Sequence, residues 1–417
     1  FVGGCVRDLI LGHPLKDIDI EVHRLYSEDL ENALAHEGEV IYVGKKFGVF
    51  QILSYNIDWS LPRIDSIGRK PNVTIDPFMG MTAACRRRDV TMNAMALPVY
   101  GIMQMLDKYG MHKPDETCYT TKIPLIDPFN GKEDIAAKRL CAVDLELFTQ
   151  DPLRFFRVMQ FAGRFDLRPD VALNHLCSTM PLFDTHLHMP IAQQRVFNEL
   201  KKLFLCATQP SKGFEWLSNI GRLKELFPEL AQPHELQKAT FAALDSIALE
   251  GDERLITQYA TLIIATQSPS IISKLTATLH HHNCAIIIAT TFPQAMPLLH
   301  EKAHIPDYKK FAAHLWPTAS MKLFLHVLQA LIKHPTTPEV TEEGVQRFSN
   351  ITRHAGVYEH PESPLVQGRD LLAHCQQGPA LGALVEYAYH LQIERGLRDK
   401  YKLIALVLQD QAPAQES

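Results

Sequence analysis

Three acids at alternate positions, Asp17, Asp19 and Glu21, interleave with Ile18 and Ile20 near the start of the chain. Side chains on a strand alternate between its faces, so the acids share one face and the isoleucines the other. Just ahead of them runs Val2-Gly3-Gly4-Cys5-Val6-Arg7-Asp8. It reads as the end of a strand, a tight turn at Gly3 and Gly4, and the first turns of a helix over Cys5 to Leu11. Such a turn aims free backbone N–H groups at whatever lies over the glycines, and the missing Cβ lets a phosphate come close. Two carboxylates two positions apart, facing a turn that can cradle a triphosphate, suit two-metal phosphoryl transfer. Metal held on Asp17 and Asp19 would activate an attacking hydroxyl and stabilise leaving pyrophosphate. Either piece alone also fits an ordinary turn or a solvated strand face; their order and closeness favour the catalytic reading.

A third acid, Asp58, falls in the strand-like run Tyr55-Asn-Ile-Asp58-Trp-Ser, a few residues ahead of Arg63 and Asp65. It could complete a carboxylate cluster with Asp17 and Asp19 or be an exposed strand residue, since no spacing fixes it toward the pair. Next comes Arg86-Arg87-Arg88-Asp89-Val-Thr-Met-Asn93. Guanidinium groups make bidentate phosphate contacts, and Asp89 or Asn93 could hydrogen-bond a ribose hydroxyl. Three adjacent arginines are otherwise a solvated surface.

Farther on, Asp151-Pro-Leu-Arg154 opens a helix, with Asp151 as cap, Pro152 at a first helical position and Arg154 one turn from Asp151 on the same face. On spacing this is a capped helix with an i, i+3 ion pair. A carboxylate beside a guanidinium could also accept the exocyclic amine of cytosine or adenine while the arginine donates to the neighbouring ring acceptor. It would repel the carbonyl that uracil or guanine presents there. The run Gln194 to Lys202, with Arg195 and Glu199 at i, i+4, reads as a structural helix. His280-His281-His282 reads as surface, because adjacent imidazoles do not face one another on a helix.

These residues need elements to hold them. Through the head of the chain, β-type runs at 40–43, 49–53 and 73–75 mix with a helical stretch at 28–36 and turn signals. From about Glu133 the strand pattern gives way to long helical periodicities punctuated by Pro and Gly. The expectation is an α+β chain, an N-terminal head with a small mixed sheet followed by an all-helical remainder. Residues 104–124, polar and rich in turn formers, read as an insertion in the head. A length of 417 residues allows two to four units with real cores, and 46% apolar with 21% charged residues is ordinary globular composition. Eight cysteines without a Cys-x-x-Cys pair fit a reducing cytoplasm and argue against a zinc site or a disulfide scaffold. No run is long and apolar enough to span a bilayer. A net charge of −5 excludes a general coating of nucleic acid, so such a partner would need a local basic surface. The chain opens on Phe1, already inside its first motif, so further residues upstream are expected.

Together these motifs resemble the class II tRNA nucleotidyltransferases, the CCA-adding enzymes of the DNA polymerase β superfamily, and their kin the bacterial poly(A) polymerases. Gly3-Gly-Cys-Val-Arg-Asp8 with Leu11-Gly12 and Asp17-Ile-Asp19 is similar to the family's first motif. Arg87-Arg-Asp-Val-Thr-Met-Asn-Ala94 is similar to its ribose-contacting motif, Asp151-Pro-Leu-Arg154 to its base-reading motif and Gln194 to Leu203 to the next. Gly368-Arg-Asp-Leu-Leu372, Gly378-Pro-Ala-Leu-Gly382 and Gly396 resemble the tail that holds tRNA.

The resemblance implies a nucleotidyltransferase head over 1–138, a helical neck with the base-reading motif over 139–205, a helical body over 206–300 and a tRNA-binding tail over 301–417, curved overall. It implies Mg2+ on Asp17 and Asp19, with Asp58 as a further metal-site acid. Gly3, Gly4, Arg7, Arg88, Asp89 and Asn93 would lie at the nucleotide, and Asp151 and Arg154 would select CTP and then ATP with Arg157 assisting. The implied reaction is template-independent addition of C, C and A to the tRNA 3′ end, with pyrophosphate leaving, in the cytoplasm. Poly(A) polymerase, CC-only and A-only enzymes share these motifs, and an idle RNA-binding relative is the reading from another class. The intact acid pair and the intact Asp151/Arg154 pair speak against idleness. Three departures bear on the C-C-A program: Gln150 stands where the family carries an acid, Met81-Thr-Ala-Ala-Cys85 replaces an acidic run, and the 104–124 insertion is atypical. No His-Asp dipeptide occurs, so the phosphohydrolase domain that some relatives append is not expected.

Overall fold

Where the chain begins, Val2 bridges Ala96 and Ala96 bridges Ile126, so three distant segments meet in front of the first helix, α1 (Gly4–Ile10). The computed structural model describes residues 1–15, 17–44, 48–53, 55–65, 73–100, 124–184, 189–300, 303–332 and 334–411. The insertion read at 104–124 lies outside these residues except for Pro124. By internal contact the chain divides into two compact units, Phe1–Leu226 and Phe227–Ser417.

The first unit carries a mixed four-stranded sheet of β1 (Ile18–Glu21), β2 (Val40–Gly44), β3 (Val49–Ile52) and β4 (Ile57–Ser60), in the order β1-β4-β3-β2. β1 runs parallel to β4, and their register sets Asp19 opposite Asp58. β3 runs antiparallel to both of its neighbours. Helix α2 (Ser27–Ala35) covers one face: its Leu30 and Leu34, one turn apart, bury with Phe50, Ile52 and Leu61. Each such side chain contributes roughly 1.5–3 kcal/mol when taken fully out of water. Because Phe50 and Ile52 point at α2, the residue between them, Gln51, points the other way, and β3–β4 register brings it beside Asp58. The face turned away from α2 is therefore the acidic one. A two-stranded hairpin, β5 (Arg63–Asp65) with β6 (Val73–Ile75), and helix α3 (Met81–Arg86) follow.

The strand pattern does not end at Glu133. Arg139–Leu140 pairs in parallel with Arg168–Pro169, and Phe183–Asp184 pairs with Met189–Pro190. Pieces two residues long carry no period for a sequence to display. Helical structure otherwise takes over: α4 (Gly131–Ala136), α5 (Leu145–Phe148), α6 (Leu153–Phe165), α7 (Val171–Thr179), α8 (Gln193–Cys206) and α9 (Ser211–Asn219). α6 buries Phe155, Phe156, Val158, Met159, Phe161 and Phe165, and packs on α8 and α9. The crossing with α9 is close because of Gly213, where a Cβ would stand 2.9 Å from the Met159 carbonyl oxygen.

The second unit is all-helical over its described residues, with α10 (His234–Asp245), α11 (Gly251–Thr266), α12 (Leu279–Ala295), α13 (Ile305–Leu315), α14 (Met321–Ala330), α15 (Glu342–His354), α16 (Pro379–Arg395) and α17 (Lys400–Gln411) as its longer members. α11 is buried from Leu255 to Ala265 and packs on α10, α12 and α14. The histidine run read as surface needs correcting here. Its residues occupy the first turn of α12, where successive side chains point about 100° apart, so one of the three faces inward. His281 is 4% exposed and its Nε2 lies 3.1 Å from Asp252 on α11. No helix among the described residues is long and apolar enough to cross a membrane. An α+β first unit and a helical second one make the fold class expected.

Candidate active site

The glycine turn is held from both sides. The Val2 N–H donates to the Asp19 carbonyl (3.0 Å) and the Gly3 N–H to that of Met95 (3.1 Å), so the turn is tied to β1 and to the segment before Val99. Gly3 has φ +74°, a left-handed conformation that glycine adopts without strain. Its N–H is spent on Met95, so the backbone donors at the start of α1 are those of Gly4 and the residues after it, as the first intrahelical bond is made by Arg7.

The acids stand beside this turn. Asp17 is exposed just before β1, with Asn56 Nδ2 3.3 Å from its Oδ1. Asp19 is half-buried on β1, opposite Asp58 on β4, and Gln51 donates to Asp58. Burial raises the Asp19 pKa, and the negative charges of Asp58 and Asp17 push the same way against the pull of Arg88. Asp58, open in the sequence between a strand residue and a site acid, thus shares the acidic face. Among the described residues no three His, Cys, Asp or Glu side chains close into a cage that would hold an ion by themselves. Mg2+ does not need one, because it commonly binds through one or two carboxylates plus the phosphates of its substrate. The negative charges of Asp58 and Asp17 both bear on Asp19, a repulsion such a cation would relieve, so these residues fit it.

The three arginines part company. Arg86 pairs with Asp144, the cap of α5, at 2.7 Å and is exposed. Arg87 Nη2 lies 3.1 Å from Glu21 Oε2 and Arg88 Nη2 3.8 Å from the same oxygen. Arg88 also crosses the turn, since a Cβ on Gly3 would be 2.4 Å from its Nη1. Glu21 is buried; burial alone would raise its pKa, but the His23 hydrogen bond and the charges of Arg88 and Arg87 bring it to about 2. His23 places Nε2 3.1 Å from Glu21 Oε1 and Nδ1 3.1 Å from the Met79 carbonyl oxygen. Reading the sequence for site residues passes over Glu21, although its alternation with Asp17 and Asp19 had put it on their face.

A buried chain of polar contacts runs from α1 to α6. Arg7 donates through Nε to Asp8 (2.8 Å) and through Nη1 to Asn93 Oδ1 (2.7 Å), with its guanidinium 4.6 Å from the Phe165 ring centroid. Asn93 Nδ2 donates to Asp89 Oδ1 (3.0 Å), and Arg157 Nε donates to Asp89 Oδ2 (2.5 Å). Burial opposes ionisation of Asp89, yet the Arg157 charge, the Asn93 bond and Arg154 hold its pKa at about 2. Both Asp89 and Asn93 are buried, and each of their side-chain polar atoms already has a protein partner. They brace α6 against α1 and the arginine segment.

At the start of α6 the partners differ from those that spacing suggests. Asp151 does cap: its Oδ1 accepts from the Leu153 N–H at 3.1 Å. Its other oxygen, however, accepts from Arg195 Nη2 of α8 at 2.8 Å. Arg154 donates to the carbonyls of Leu147 (2.8 Å) and Arg87 (2.7 Å). The pair Arg195/Glu199 read along α8 is likewise redistributed, with Glu199 buried and 3.1 Å from Lys202. Packing of α8 on α6 brings Arg195 to Asp151, and no local spacing could show that. In the second unit a cavity of about 1060 Å3 is lined by His300, Lys310, Phe311, His314 and His390 among others, none of them in these motifs.

A glycine turn, a carboxylate pair on parallel strands and an arginine over the turn thus stand together in the first unit. Residues 1–141 match the family described as the poly(A) polymerase head domain, and residues 185–232 match the probable RNA- and SrmB-binding site of polymerase A. These two stretches are what the chain shares with the poly(A) polymerase family models. It is 31% identical over 239 residues to the Multifunctional CCA protein of Variovorax paradoxus, an overlap of 55% of this chain and 51% of that one. The chain spans about half the length of the curated relatives it matches. Among solved structures, the CCA-adding enzyme of Bacillus stearothermophilus in complex with CTP aligns with TM-score 0.69 at 19% identity, covering 100% of this chain and 94% of that one. The Thermotoga maritima CCA-adding enzyme complexed with tRNA aligns with TM-score 0.60 at 19% identity, covering 98% and 90%. At that identity the likeness is one of fold.

Proposed function

We propose that this chain adds C, C and A to the 3′ end of tRNA, taking CTP and ATP and releasing pyrophosphate. The observation that carries the reading is the juxtaposition of Asp19 and Asp58 beside the Gly3 turn and Arg88, tied by a buried polar chain to α6, the helix that follows Asp151. The triphosphate lies against the turn at Gly3 and Gly4, with Arg88 facing it. Asp17, Asp19 and Asp58 are the acids that would hold Mg2+, which when bound would make the attacking 3′-hydroxyl more acidic and neutralise phosphate charge. Arg7, Asp89, Asn93 and Arg157 keep the base-reading helix in place over the sugar and base. Asp151 and Arg154 select cytosine and then adenine by their paired acceptor and donor edges, once the nucleotide competes with Arg195 for the carboxylate.

The finer division into head, neck, body and tail, the tRNA on the tail and a cytoplasmic setting belong to the same proposal. What the similar CCA proteins and CTP- and tRNA-bound structures are named for supports it. The head match, which is to poly(A) polymerases, keeps A-only extension as the second reading. One assay tests both: tRNA lacking its 3′ end is incubated with each labelled nucleotide, alone and together, and the products are sized. Growth by C, C and A supports the proposal. A ladder of A residues supports the polymerase, and no growth with any nucleotide refutes both.

A further inference from the structure

Glu21 is the one acid of the β1 trio without a role. It stands two positions from Asp19 on the same face, yet its side chain is only 1% exposed. Its oxygens are engaged on both sides, Oε1 by His23 at 3.1 Å and Oε2 by Arg87 at 3.1 Å with Arg88 at 3.8 Å. A carboxylate so enclosed acts as a counter-charge. His23 fixes it from behind through the Met79 carbonyl at 3.1 Å. In front, Arg88 spans from Glu21 to the turn, its Nη1 filling the space a Gly3 Cβ would need. Two guanidiniums converging on one point repel each other unless an anion lies between them, and neighbouring Asp19 and Asp58 are themselves able to capture a loose arginine.

We propose that Glu21 is a positioning residue that holds Arg87 and Arg88 side by side at the glycine turn, so that the polyphosphate of the incoming nucleotide meets a preformed cationic wall. The inference rests on the nucleotidyl-transfer reading of this site and adds a residue that touches neither the reacting atoms nor the metal. Preformation raises affinity because two long side chains are already ordered before the ligand arrives.

The test compares the wild-type chain with Glu21→Gln, which keeps the shape of the side chain and removes its charge. Equilibrium binding of CTP and of inorganic tripolyphosphate is measured in Mg2+, together with kcat and KM for CTP incorporation and the melting temperature. Both affinities should fall about tenfold, the scale of one charge-assisted contact, and KM should rise in step. Meanwhile kcat should stay within about threefold and the CTP:UTP preference should not move. A merely structural Glu21 would lower the melting temperature and leave tripolyphosphate affinity unchanged, which would overturn the inference. Should Glu21→Gln fail to fold, Arg87→Gln, which removes one of the two guanidiniums that Glu21 holds, takes its place, and wild-type tripolyphosphate affinity there overturns the inference equally. A wild-type chain that binds neither ligand brings down the nucleotidyl-transfer reading as well, whereas equal binding by wild type and variant brings down this inference alone.

Discussion

Replacing Asp151 by Ala removes three things at once, and the structure sizes two of them. Loss of the cap on the Leu153 N–H costs about 1 kcal/mol. Loss of the Arg195 pair adds at most about 1 kcal/mol, because its two side chains are 45% and 37% exposed and water screens them. In a unit of this size 1 kcal/mol moves the melting temperature by roughly 2–4 °C, so a drop of several degrees is expected whether or not Asp151 reads bases. Melting alone therefore decides nothing about recognition. The third loss is the acceptor for an exocyclic amine, worth roughly 1–3 kcal/mol against the wrong base, or about five- to 150-fold in the ratio of kcat/KM for CTP over UTP. The assay is single-nucleotide incorporation into tRNA lacking its 3′ end, with CTP and UTP competed in one tube. Arg195→Gln is the companion, since it removes the pair but spares both cap and carboxylate. It should lower the melting temperature by less than about 4 °C and leave UTP excluded. An unchanged CTP:UTP ratio in folded Asp151→Ala would refute base reading by this carboxylate.

Asp89→Asn should destabilise the chain by about 2 kcal/mol near neutral pH, the worth of a shift from 3.8 to about 2. Since the folded value is the lower one, this contribution is full above the unfolded value of 3.8 and disappears as pH falls through about 2. Urea denaturation should thus show the gap between wild type and variant shrinking from pH 5 toward pH 2, and a gap indifferent to pH would contradict the ion pair. Asp19→Asn should abolish transfer while tRNA binding survives, and activity within about tenfold of wild type, a loss of only roughly 1.4 kcal/mol, would dismiss Asp19 as the metal acid. In the second unit Lys400 is tied to Asp370 at 2.6 Å and the exposed Arg398 lies 3.8 Å from Glu362; Arg369 and Arg395 are exposed as well. Changing Arg369 and Arg395 together to Gln should weaken tRNA binding and flatten its salt dependence by up to about two counterions, and an unaltered slope would place the tRNA elsewhere.

The parts of the site that were legible beforehand are those encoded by a local period or a local exception to one. Alternation over Asp17 to Glu21 announced a strand with an acidic face, and paired glycines followed by Cys5 to Leu11 announced a turn into a helix. Both are found, since those signals depend on backbone geometry alone. Asp58 was undecidable because the partner of a parallel strand lies far off in sequence, and only the β1–β4 register puts it opposite Asp19. Asp151 shows the same limit on a helix. Its i+3 neighbour Arg154 has the right spacing, but a guanidinium takes whichever acceptors are best placed, and packing delivers Arg195 to the carboxylate while Leu147 and Arg87 offer carbonyls to Arg154.

Glu21 carries the point further. Its face was known from the period, yet a face does not say what arrives to meet it. With Arg87 and Arg88 folded over it, the third acid of the trio becomes an anchor for cations while the other two remain open to one. Residues of one type on one face thus divide into opposite electrostatic roles according to which of them the arginine segment covers, and that division is a property of the tertiary contact between β1 and the Arg87–Arg88 pair. Charge removal at the anchor and at its neighbour should accordingly fail in different ways: loss of Glu21 loosens polyphosphate binding, and loss of Asp19 stops the reaction on a polyphosphate that still binds.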